Sequence, residues 1–92
     1  MTPIVSLVDE VRWLRASALD HSRPDVSSNN DYDAWSRLAA VSAGILVTLD
    51  AGGVPARVII ERDLAPLAAR LRDLAWDYPA SVIERVVDLL LA

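Results

Sequence analysis

From Leu38 to Leu49 the chain runs for 12 residues, LAAVSAGILVTL, without a charge. This stretch constrains the fold more than any other feature. It is too short to span a bilayer, which takes about 20 apolar residues. Trp35, Leu38, Ser42, Ile45, Leu46 and Leu49 recur at helical spacing and share one face. The opposite face carries Ala40, Ala43, Gly44 and Val47, all small or apolar. A helix apolar nearly all round belongs at the centre of a bundle. The pattern therefore predicts a central helix over 33–51, capped by Asp31 or Asp33 and stopped by Gly52-Gly53. Ala40 and Gly44 are expected to let another helix approach closely.

The flanking segments extend this reading to an all-α, compact bundle of four to five helices. Thr2-Pro3 opens a first helix over about 3–19, with Ile4, Leu7, Val8, Val11, Leu14 and Ala18 as its stripe. Trp13 lies off that stripe. Residues 20–32 are polar and read as a loop, anchored only by Val26 and Tyr32. Segment 54–61, VPARVIIE, is a short helix or extended, because Val58-Ile59-Ile60 is β-branched while Pro55 suits a helix start. Asp63 caps a helix over 63–77, with Pro66 in its first turn and Leu64, Leu67, Ala68, Leu71, Leu74 and Ala75 facing inward. Pro79 opens the last helix, 79–91, whose apolar side is Val82, Ile83, Val86, Leu89 and Leu90. No linker or repeat divides residues 1–92, so a single helical domain is expected.

Composition narrows the partners. Hydrophobic residues make up 53% of the chain, more than a domain this small readily hides, so some apolar surface is expected to face a partner or a second copy, most simply in a homodimer. The net charge of −4 disfavours nucleic acid and anionic membrane surfaces. No leader with a basic start and an apolar core is visible, which makes a cytoplasmic protein the expectation. All nine basic residues are arginine, a bias expected of a GC-rich genome, actinobacterial or phage.

Chemistry is hard to assemble from this inventory. There is no cysteine, and the single histidine, His21, falls in the polar loop without a nucleophile elbow around any serine. Asp20, His21, Asp25, Asp31 and Asp33 could offer hard metal ligands, but their spacing matches no EF-hand, and loop aspartates more often cap helices. Asp33–Arg37, Arg70–Asp73 and Arg85–Asp88 have the spacing of helical surface ion pairs. No catalytic, cofactor-binding or metal residue is therefore assigned, and no cofactor is expected. The chain reads as a non-catalytic protein–protein interaction module, such as a small regulator, inhibitor, antitoxin or immunity-type protein. Its docking residues are expected to be Trp13 and Trp76, with Arg12, Arg72, Tyr78 and Leu91 beside them, since tryptophan and arginine are enriched at binding hot spots. The alternatives are a structural homo-oligomeric component, for example of phage assembly, or a small-molecule or metal-binding bundle.

Overall fold

Pro3 opens helix α1, Pro3–His21, in a computed structural model that describes residues 3–23 and 29–92. Val11, Leu14 and Ala18 are buried along its stripe. Helix α2, Asn29–Asp50, begins four residues before the expected start at 33. Both helices thus take residues from the segment expected to be a loop. Thr2 and residues 24–28, Val26 among them, on which part of the expected loop falls, lie outside the described residues. Asp31 lies within the first turn of α2 rather than at its cap, where its carboxylate meets the positive end of the helix dipole. His21 ends α1 and is not a solvated loop residue: its Nδ1–H donates to the Ser17 carbonyl at 2.7 Å.

Segment 54–61 turns helical at Arg57. Helix α3 (Arg57–Ile59), a wide π-helical turn (Ile60–Leu64) and helix α4 (Ala65–Asp73) run on as one rod. Asp63 therefore lies inside the rod and caps nothing. Pro66 explains the wide turn. A proline ring collides with the carbonyl four residues back in an α-helix and offers no N–H to it. Opening the preceding turn moves that carbonyl aside, and Ala65 N–H bonds to Ile60 O instead. Helix α4 stops at Asp73, short of the expected 77, because Ala75 adopts a left-handed φ of 70°. Trp76 N–H then reaches Leu71 O at 2.8 Å and Ala75 N–H reaches Arg72 O at 3.0 Å, a Schellman closure. Gly52, with φ 81°, closes α2 in the same way through Gly52 N–H to Leu49 O and Gly53 N–H to Thr48 O, both at 3.0 Å.

Helix α5, Asp77–Leu91, starts two residues ahead of the expected 79, with Pro79 buried in its first turn. No strand occurs among the described residues, and the fold is an all-α bundle. The core joins Val11 and Leu14 of α1, Trp35 and Leu38 of α2, Leu64 and Leu71 of the rod, and Ile83 and Val86 of α5. Ser42 is the one buried polar residue among those described; its hydroxyl donates to Leu38 O at 2.6 Å, which removes the penalty of burying it. Leu90 and Leu91 pack half-buried against this core, while Leu89 stays exposed.

One expectation fails clearly: α2 is not central. Its inner face is buried from Trp35 to Leu46 and half-buried at Leu49, but Ala40 and Gly44 are exposed, Val47 is 71% exposed, and a Cβ added at Gly44 would meet nothing within 4 Å. Four rods of this length cannot surround one another, so α2 packs on α1 and the rod and leaves its small-residue face outside. The total accessible surface is 5438 Å², close to the roughly 5,200 Å² of a compact monomer of this mass. Overall compaction is therefore ordinary, and the apolar surplus appears as particular exposed side chains.

Candidate functional site

Trp13 sits one position before buried Leu14 on α1, so it is turned about 100° away from the core. Tyr78 sits on the first turn of α5. The packing of α1 on α5 brings the two rings edge to face, with centroids 5.2 Å apart and planes at 84°. Both remain open to solvent, Trp13 at 38% and Tyr78 at 62%. Together with Asp9, Glu10, Val82 and Arg85 they line a small cavity of ≈ 180 Å³.

The same cavity is lined by an ion pair that ties α1 to α5. Arg85 donates through Nε at 2.9 Å and approaches through Nη2 at 2.8 Å, both to Glu10 Oε1. That carboxylate raises the Arg85 guanidinium above its ordinary value, chiefly through the hydrogen bond, and the Tyr78 hydroxyl acts in the same direction. Glu10 Oε2 is buried and has no hydrogen-bond partner among the described residues. The expected Arg85–Asp88 and Arg70–Asp73 pairs are replaced by Arg85–Glu10 and Arg70–Asp33, because the neighbouring helix offers each arginine a carboxylate. Asp33–Arg37 forms as its spacing predicts.

The other residues expected at a docking site are dispersed. Arg12 flanks the aromatic corner and approaches Asp9 at 4.0 Å and Asp50 at 3.8 Å. Arg72 faces away, bridging Glu84 at 2.6 Å and Asp77 at 3.9 Å across the turn between α4 and α5. Leu91 is half-buried against the core. Trp76 is on the turn, not on a helix, and is half-buried in a second aromatic group. There His21 stacks on Trp35 with centroids 4.5 Å apart and planes at 21°, while Trp76 meets both edge on, at 4.9 Å from His21 and 5.3 Å from Trp35. Trp35 is fully buried, and the indole N–H groups of Trp35 and Trp76 have no acceptor among the described residues.

Two participants were missed by reading the sequence as separate stripes. Glu10 follows Leu7 by three and precedes Leu14 by four, which places it on the margin of the buried face rather than on the wet face expected of it. His21 follows Leu14 by seven and so continues the same face to the end of α1. Among the described residues no group of three potential metal ligands comes together, and no helix is long and apolar enough to cross a membrane. Compared with protein-family models, characterised proteins and solved structures, the chain matches none of them.

Proposed function

We propose that this chain is a non-catalytic interaction module that docks a protein partner on the corner formed by α1 and α5. The observation that carries this reading is the pairing of Trp13 and Tyr78, two large rings held in fixed geometry yet left in water. Such rings supply contact area at low entropic cost and dominate interfaces when covered. The Glu10–Arg85 pair beside them ties together the two helices that carry the rings. The acidic balance of the chain favours a partner of basic character, by steering its approach. A regulator, inhibitor, antitoxin or immunity-type role is compatible with action by contact alone.

Affinity capture from cells of the source organism tests this, using the wild type beside the double variant Trp13→Ala/Tyr78→Ala. Proteins retained by the wild type and lost by a variant of unchanged circular dichroism are the expected result. Identical retained sets would refute the docking site.

A second reading, a homo-oligomeric component, is favoured by the outer face of α2. Val47 is exposed there, Val54 just beyond is 74% exposed, and Gly44 has no packing reason within one copy. Light scattering on the wild type and Gly44→Trp separates the readings: an oligomer that dissociates in the variant supports self-assembly, and a monomer in both removes it.

A further inference from the structure

A second groove, ≈ 490 Å³ in volume, runs between α2 and α4. Its rim carries Arg37 from α2, Arg62 from the wide turn and Arg70 from α4, against the carboxylates of Asp33 and Asp63. The chain holds 13 acidic and 9 basic residues, so this groove inverts the overall balance. The donors are engaged unevenly. Arg62 gives Nε–H and Nη2–H to Asp63 at 2.9 and 3.0 Å, and chiefly by those bonds holds the Asp63 carboxyl below its ordinary range. Arg37 donates Nε–H to Asp33 at 3.2 Å. Arg70 comes from the opposite wall toward the same carboxylate but stops at 3.9 Å, beyond hydrogen-bond reach.

Asp33 thus shows what the groove attracts. One carboxylate is drawn by guanidiniums of both walls, bonds to one, and holds the other only as a long ion pair. An oxyanion with a second charge and a third oxygen would serve both forks. The floor between them is apolar, made by Ala40, Val41, Pro66 and Leu67. We propose that this groove binds the phosphoryl group of a small molecule between Arg37 and Arg70, in the place of the half-exposed Asp33 carboxylate, which turns out to solvent, with the apolar body of that molecule lying on the Pro66–Leu67 side. The site shares no lining residue with the aromatic corner and stands independently of the docking proposal.

Nuclear magnetic resonance titration of the 15N-labelled full chain at low ionic strength tests it, with inorganic phosphate, phenyl phosphate and benzoate as probes. The Nε–H resonances of Arg37 and Arg70 are expected to shift saturably, with phenyl phosphate binding tighter than either other probe. Arg70→Gln or Arg37→Gln is expected to weaken phenyl phosphate roughly tenfold, the loss of one charge-assisted contact. Arg15→Gln, in the groove on the other flank of α2, is expected to change nothing, and so is Trp13→Ala. Shifts that never saturate, equal weakening by Arg15→Gln, or benzoate matching phenyl phosphate would each overturn the proposal. Phenyl phosphate binding no tighter than inorganic phosphate would overturn the apolar floor. None of these results bears on partner capture by Trp13 and Tyr78.

Discussion

Trp35 and Trp13 are the same side chain put to opposite uses. Trp35 is enclosed, stacked by His21 and edged by Trp76, at the meeting point of α1, α2 and the α4–α5 turn. Trp13 touches one ring, Tyr78, and keeps more than a third of its surface in water. The enclosed group ties elements together, whereas the open corner presents part of its area outward. Aromatic content alone does not distinguish the two. Position relative to the buried stripe does: Trp35 lies on it and Trp13 beside it.

The largest test of this contrast is deletion of each ring. Trp35→Ala is expected to destabilise the fold by about 3–5 kcal/mol, as for a large buried aromatic, whereas Trp13→Ala is expected to cost about 1–2 kcal/mol. Equal losses in urea denaturation would abolish the distinction. Next comes the turn that brings Trp76 to the enclosed group. Ala75 holds a left-handed conformation that an L side chain resists, while Gly52 closes α2 without that penalty. Ala75→Gly is expected to raise stability by about 1 kcal/mol, and a thermal midpoint that falls would show that this turn is not under strain. His21→Ala is expected to lose about 1 kcal/mol of ring contact, and to shift Trp35 fluorescence while leaving Trp13 accessible to quenchers. The smallest effect belongs to α2. Gly44→Ala adds a side chain into open space in a helix interior, and is expected to stabilise a monomer by about 0.5–1 kcal/mol. A loss instead would mean that a second copy already fills that space.

The helical stripes were readable because apolar spacing reports the buried face directly. Trp35, Leu38, Ser42, Ile45 and Leu46 all lie inside as their spacing requires. Helix ends were less readable. Asp31 and Asp63 look like caps, but local capping is worth about 1 kcal/mol, and packing of the neighbouring residues outweighs it. The placement of α2 was misread because periodicity describes a helix by itself, not how many neighbours the rest of the chain can supply. For the same reason the corner of Trp13 and Tyr78 was visible only as two separate residues. Its Glu10–Arg85 support links positions 75 apart, and no local spacing encodes such a contact. The arginine groove was invisible for a similar reason, since Arg70 has its expected partner three residues away and turns instead to Asp33 on another helix.

With Pro66 replaced, the wide turn at Ile60–Leu64 would give the rod a tolerance to changes in chain length that an ordinary helix lacks. Removing one residue from an α-helix rotates everything after it by about 100° and would swing the following leucines out of the core. A π turn is an α turn with one extra residue, so a deletion within it can be absorbed by narrowing, leaving Leu67 and Leu71 facing inward. The narrowing also requires Pro66→Ala, because the ring would otherwise meet the carbonyl that the wide turn has moved aside. Single-residue deletions should therefore be survivable here in that background and nowhere along α1 or α2, which makes this turn the point in the bundle where length can change without changing phase.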